Sequence, residues 1–360
     1  MPVGPQIWSP PLSAHCLRQT AICQGQDKRE TVMKHTNALT ILAAAGLMSA
    51  TIGTASAQTQ WDMAIVWPEG NFHTQNHYRF AEAVREATDG EVVINLHPGG
   101  ALGLAGPELL AAVRDQIVPI ADILLNQQVG EEPIFGMESL PYLAPSFDDL
   151  ELLQSEARAH YDEVAARNNQ KILYMVPWPG QAVYTREQVS TLDDLSGVQI
   201  RVVDAMGARF FEALGASPIQ LPWGEVVPSL ATGAIDGVTT SSSSGVDGSF
   251  WEFLDYMNRF NWQGSAIMVN VNLDAWNDLS VENQEAIENL ANEMEEEFWD
   301  VARAEDEEKL AILADNGIII TTPSDELAAA LLEISEPMWQ EFMDNVPESR
   351  AIIEAYFEAR

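Results

Sequence analysis

Arg201 stands near the end of GVQIRVV, an otherwise apolar run between two turns, in a chain that carries 18 Lys and Arg against 54 Asp and Glu. A cation placed where an apolar strand opens into a loop is suited to holding an anion. Guanidinium stays charged, and its planar fork of donors matches the two oxygens of a carboxylate. The alternative for Arg201 is an ion pair with a neighbouring acid. Other side chains that could contact such an anion also follow strand exits. Gln181, after KILYMVPW, offers both a donor and an acceptor. Trp223, in LPWGEVV, lies between a strand and a helix, where ligands collect in α/β proteins; it can cover an apolar part of a ligand or pack in the core. Thr240 and Ser241, in the run TTSSSS after AIDGV, either bond a ligand or belong to a flexible loop. Trp67 and Phe72 follow the first strand and Asn126 the third, and together they imply a cleft.

Signatures of catalysis are missing from the sequence. It contains no GxSxG, no HExxH, no P-loop and no GxGxxG after a strand. The six histidines are scattered without metal-ligand spacing, and acids are so numerous that neighbouring pairs carry no information. The expectation is a binding protein with no catalytic residue, no metal and no cofactor.

The elements that must position these residues alternate. WDMAIVW reads as a strand, 77–88 as a helix, EVVINLH as a strand, GPELLAAVRDQIV as a helix and ADILLNQ as a strand. The grammar repeats through helix 148–168 and strands KILYMVPW, GVQIRVV, SPIQLP and AIDGVTT, with helices MGARFFEALG and WGEVVPSLATG between them. Such alternation gives α/β units with mostly parallel pairing. NWQGSAIMVNVNLDAW reads as strand material returning to the first unit. From Val281 to Asn316 a nearly uninterrupted helical pattern is on the order of 50 Å long and serves to bridge two domains. The acid run EMEEEFWD within it is a solvated helix face. The expected fold is therefore α/β with two domains, one from 58–178 plus 266–305 and the other from 179–265 plus 306–360.

The amino-terminal part stands apart. From Met33 a short basic start, an apolar run to Gly53 and small residues through Ala57 read as a secretory signal, with cleavage expected near Ala57. Residues 1–32 read as an upstream segment wrongly joined to the true start at Met33. Both cysteines, Cys16 and Cys23, fall in the removed part, so the mature chain is expected to rely on core burial and not on disulfides. Loss of Arg18, Lys28, Arg29, Lys34, Asp27 and Glu30 leaves 14 basic residues against 52 acidic ones. That field argues against nucleic acid or anionic lipid as a partner. No later segment is long and apolar enough to span a bilayer.

Several of these segments, in order, carry a resemblance. TDGEVVINLHPGGALG, ELLAAVRDQIVPIADI, ESLPYL, STLDDLSGVQIRV and EALGASPIQLPWGEVVPSLATGAIDG, followed by DAWNDLS and the long helix, resemble the extracytoplasmic solute receptors of tripartite ATP-independent periplasmic (TRAP) transporters, DctP type. The resemblance covers about residues 61–330. It implies a periplasmic solute-binding fold of two α/β domains joined by hinge strands, closing on an organic acid that is delivered to the membrane permease subunits. It places Arg201 on the carboxylate-pairing arginine, Trp223 on an aromatic pocket position and Thr240 where many members carry a ligand-binding Asn. Gln181 falls where many carry a second arginine. With Gln181 and Thr240 there, a second carboxylate lacks a cationic partner, which favours a monocarboxylate. Trp67, Phe72, Trp178, Trp223 and Trp262 point to an aromatic or branched 2-oxo or 2-hydroxy acid. Val238-Thr239 after the DG turn departs from members that bind through a cation. The alternatives are a periplasmic receptor that reports to a signalling partner and a periplasmic enzyme acting on organic acids.

Overall fold

The computed structural model describes residues 58–360. The expected upstream segment 1–32, the expected export signal 33–57 and both cysteines lie outside the described residues. The first half runs β1 (Thr59–Ala64), α1 (Phe72–Ala87), β2 (Val92–His97), α2 (Leu109–Arg114), β3 (Ile120–Leu124), α3 (Phe147–Arg167) and β4 (Gln170–Pro177). It continues with β5 (Ala182–Thr185), β6 (Gln199–Val202), α4 (Ala205–Ala213), β7 (Ser217–Gln220), α5 (Trp223–Thr232), β8 (Gly237–Thr240) and α6 (Ser242–Asp247). The remainder is β9 (Tyr256–Asn258), β10 (Ala266–Asn272), α7 (Leu273–Asn277), α8 (Val281–Asp315), β11 (Ile319–Thr321), α9 (Asp325–Asn345) and α10 (Ser349–Ala359).

Two mixed sheets result. The first has the order β2-β1-β3-β10-β4 and the second β11-β9-β5-β8-β6-β7. Pairing is parallel between β1 and its neighbours and between β6 and its neighbours. It is antiparallel wherever β10 or β5 takes part. The expectation of mostly parallel pairing misses these two strands, because each arrives directly from the other sheet and not by a helical crossover within its own, which is what parallel neighbours require.

The first sheet is buried on both faces. Along β1 and the residue after it, Trp61, Met63 and Ile65 pack on one side while Ala64 faces the other, as the two-residue period of a strand dictates. On β3, Ile120 and Leu124 share the side of Trp61, and Ala121 and Ile123 face the opposite cluster. The second sheet is likewise sandwiched, with Ile200, Val202, Phe210 and Phe211 on one side and Tyr184, Val226, Val238 and Phe250 on the other.

Two links cross between the sheets. One joins β4 to β5 through residues 178–181, and the other joins β9 to β10 through residues 259–265. They are bonded to each other, Trp178 N to Ser265 O at 2.8 Å and Trp262 N to Gln181 O at 3.3 Å. α8 begins where Ser280 caps its first turn by accepting from Asn283 N. Its 35 residues span roughly 52 Å at 1.5 Å per residue. Ile287, Ala291, Phe298 and Ala302 fill the core of the first sheet, and Leu313 reaches that of the second. The helix thus braces both.

The chain end behaves differently from its expected place with the second unit. Leu327 and Leu331 of α9 pack with the second sheet, but Phe342, Ile352, Ile353 and Tyr356 enter the core of the first. Tyr356 Oη donates to Leu143 O at 2.8 Å. The apolar face of α10 is spaced to cover α3, and burying it there removes it from water.

One acid lies in that core. Glu138 is fully buried, accepts from Gln154 Nε2 at 3.0 Å and has its second oxygen unbonded. Burial pushes its carboxyl up to about 7, against the hydrogen bond from Gln154. A carboxyl whose folded pKa is raised gives stability that is complete below its unfolded value of 4.5 and is lost as pH rises through the folded value. Glu138→Gln does not titrate. The melting-temperature gain of this variant over wild type should therefore grow as pH rises from 4.5 to about 7 and then level off. A difference that stays flat across that window in parallel thermal melts would contradict the assignment.

Candidate functional site

β6 lies between β7 and β8 and delivers Arg201 to the sheet interior, where the side chain is 2% exposed. Burial lowers its pKa to about 10, with Asp204 opposing the shift, so the guanidinium is charged at neutral pH. Nε and Nη2 both donate to Leu221 O, at 3.0 and 2.9 Å, and Nη1 donates to Thr239 O at 3.4 Å. Guanidinium has five N–H groups. The two that remain sit one on each terminal nitrogen, a spacing that suits the two oxygens of a carboxylate.

Arg201 forms no ion pair among the described residues, so the structural pairing considered from sequence is absent there. Asp204, the acid that acts on it by charge, is engaged elsewhere. It caps α4 by accepting from Gly207 N at 2.6 Å and accepts from Gln263 Nε2 at 2.6 Å. The clamp on Leu221 has a second effect: it fixes the turn that leads through Pro222 into Trp223, the first residue of α5.

Arg201 lines a narrow cavity of about 30 Å³ between the sheets. From the first sheet come Trp67, Leu124 and Gln127; from the crossing links Trp178, Gln181 and Ser265; from the second sheet Val203, Trp223, Thr240, Ser241 and Ser244. Arg201 is the single charged residue among them. Trp67 meets Trp178 edge to face with centroids 4.8 Å apart. A wider space of about 280 Å³ adjoins, shares Trp67, Gln127 and Trp223, and is bounded by the glycine-rich turn 99–106 and the start of α5.

The residues singled out from sequence divide here. Trp67, Gln181, Arg201, Trp223, Thr240 and Ser241 are brought to one cavity. Gln181 Nε2 is held by Pro179 O at 3.1 Å, which orients the carboxamide. Ser241 caps α6, and its hydroxyl accepts from Ser244 N and donates to Ser244 Oγ, both at 3.2 Å. Phe72 and Asn126 do not line the cavity. Phe72 packs behind Trp178, 5.3 Å between centroids. Asn126 is buried with both amide atoms unbonded, and its neighbour Gln127 reaches the cavity instead. Trp262, expected as an aromatic wall, stacks on Phe210 inside the second sheet's core at 5.3 Å. Gln127, Val203, Ser244 and Ser265 were not anticipated. A search three residues either side of each strand end would have included Gln127 and Val203.

A two-sheet α/β body with a cavity between the sheets, paired crossing links and one long bracing helix is the architecture expected of an extracytoplasmic solute receptor. The chain belongs to the bacterial extracellular solute-binding protein family 7, DctP, whose model matches residues 63–345. Among its relatives, the ectoine/5-hydroxyectoine-binding periplasmic protein UehA of Ruegeria pomeroyi is 29% identical over 260 residues, which cover 69% of this chain and 74% of UehA. An extracytoplasmic solute receptor of Bordetella pertussis binding pyroglutamic acid has a similar structure, with 29% identity, a TM-score of 0.81, and coverage of 83% of this chain and 99% of that one. A marine metagenome TRAP solute-binding protein specific for pyroglutamate gives 28% identity, a TM-score of 0.80, and coverage of 84% and 99%. The protein is thus a solute receptor of the TRAP type and not an enzyme. Its family implies export to the periplasm, a small-molecule ligand and membrane permease subunits as partners. Among the described residues no helix is long and apolar enough to cross a membrane.

Gly106 offers a test of the cavity wall. A Cβ built there would lie 2.0 Å from Gln127 Oε1, the free end of a flexible side chain. Gly106→Ala should keep the fold, with stability within about 1 kcal/mol of wild type, while a crystal structure shows the Gln127 carboxamide displaced. A carboxamide in its original place in that structure would contradict the packing described here.

Proposed function

We propose that this receptor captures a compact monocarboxylate whose remainder is uncharged but carries both a hydrogen-bond donor and an acceptor, and that pyroglutamate, a five-membered lactam acid, is its ligand. The observation that carries this reading is the charge inventory of the cavity: one guanidinium fork, no second cation and no carboxylate among the lining residues. A second carboxylate of a ligand would be buried without a partner, at a cost of several kcal/mol. The polar side chains that remain, on Gln127, Gln181, Thr240, Ser265 and the mutually bonded Ser241 and Ser244, are neutral and both donate and accept, which matches an amide. Three indoles cover the ring. The cavity's narrowness favours a small ring over the aromatic or branched acid expected from the tryptophans alone. The pyroglutamate receptors among its structural relatives support the same choice.

The acid bridges Arg201 of the second sheet to Trp67 and Gln127 of the first, so binding stabilises the closed arrangement of the two units. Asn71 Nδ2, at the cap of α1, donates to Asp247 Oδ2 of α6 at 2.7 Å across the same gap and adds to closure. The closed receptor then presents the ligand to the permease. Export follows from the amino-terminal signal, with cleavage near Ala57. A second reading rests on the indoles, which could face a cation, as an ectoine ligand would require.

Calorimetry with L-pyroglutamate, ectoine and succinate separates these. Pyroglutamate should bind saturably, succinate should not, and Arg201→Ala should weaken pyroglutamate binding at least about a hundredfold, about 2.7 kcal/mol. Tighter binding of succinate or ectoine, or an Arg201→Ala variant with unchanged affinity, would sink the proposal.

A further inference from the structure

The indole of Trp67 is held from behind by a chain of buried polar groups that the ligand does not touch. Trp67 Nε1 donates to Asp122 Oδ2 at 3.0 Å. The same oxygen lies 2.6 Å from His77 Nε2, and His77 Nδ1 lies 2.8 Å from Tyr174 Oη. Asp122 and His77 are both fully buried, and Asp122 Oδ1 has no partner. Burial and the Asp122 charge push the Tyr174 phenol up, so it keeps its proton. His77 Nε2 donates to Asp122 Oδ2, where the carboxylate oxygen accepts. Two donors, Trp67 from the cavity side and His77 from behind, converge on one Asp122 oxygen, and Tyr174 holds the far side of the imidazole. The far end is anchored by Phe298 of α8, whose ring is 5.4 Å from that of Tyr174.

A carboxylate in a sheet core is costly unless its bonds secure something. On β3 it occupies the strand position between Ile120 and Leu124, on the face where apolar side chains pack. Its two donors come from α1 and from the loop after β1. Trp178, the facing wall, has its own indole N–H unbonded and is oriented by packing against Trp67 and His73, at 4.8 and 4.3 Å. Freeing Trp67 would therefore loosen both walls of a cavity of about 30 Å³.

We propose that Asp122 is a positioning residue of the binding site: held by His77 and Tyr174, it sets the rotation of the Trp67 indole and through it ligand affinity. This rests on the reading of the cavity as the ligand site. The test combines a ligand-free and a ligand-bound measurement. In ¹H–¹⁵N spectra of the ligand-free receptor, the Trp67 indole resonance is the one that Trp67→Phe removes. Asp122→Leu should move it toward the position of an unbonded indole. In calorimetry with L-pyroglutamate, Asp122→Leu should lower affinity at least tenfold in the wild-type background and leave it unchanged in Trp67→Phe, whose ring has no N–H to hold. An equal loss in both backgrounds, or an unmoved indole resonance, overturns the proposal. If pyroglutamate does not bind wild type, the ligand assignment fails and the indole resonance alone decides. Should Asp122→Leu not fold, His77→Gln, which keeps a donor for the carboxylate, and His77→Leu, which removes it, replace it. Affinity kept in the first and lost tenfold in the second supports the role, and equal affinity in both overturns it.

Discussion

A guanidinium buried without a carboxylate partner is the constraint on which the site depends. Taking such a charge out of water costs several kcal/mol, and the carbonyls of Leu221 and Thr239 satisfy only three of its five N–H groups. What remains is a demand for an anion that the fold does not meet internally. Asp204, three residues further on, could have met it. Its oxygens are instead taken by the α4 cap and by Gln263, and burial raises its pKa. Keeping that acid occupied leaves the fork available to a solute.

The surrounding structure holds this arrangement rigid from both sides. On the second sheet Arg201 itself fastens the Leu221 carbonyl, and so the turn into Trp223. On the first sheet Asp122 fastens the Trp67 indole. Each aromatic wall thus answers to a buried polar group of its own sheet, while the crossing links between them are bonded to each other. A site built in two halves on rigid sheets, joined by short links, can be precise when closed and still open by rotation about those links.

How much of this was legible varied with the kind of signal. The order of strands and helices, the long helix and the cation at the end of β6 follow from periodicity and from the rarity of basic residues. Strand exits gave the neighbourhood of the cavity but not its exact lining. Asn126 and Gln127 both lie in a short 3-10 turn after β3, where successive side chains point about 120° apart; the rotation of that turn decides which one faces inward. Phe72 and Trp262 are apolar rings near the gap, and nothing local distinguishes a ring that lines a cavity from one that packs behind it. The antiparallel strands β5 and β10 and the return of α10 to the first sheet depend on partners distant in sequence.

By itself, then, the sequence determined the alternation of elements, the apolar faces they bury and the isolation of Arg201 among acids, because these rest on local spacing and composition. Only the tertiary structure decided that Arg201 forms no ion pair among the described residues, that Asp204 is engaged elsewhere, and that Asp122 and His77 stand behind Trp67. Those facts concern distances between residues as many as 59 positions apart, as with Asp204 and Gln263, and such distances are fixed by how sheets pack and chains cross, not by any pattern along the chain.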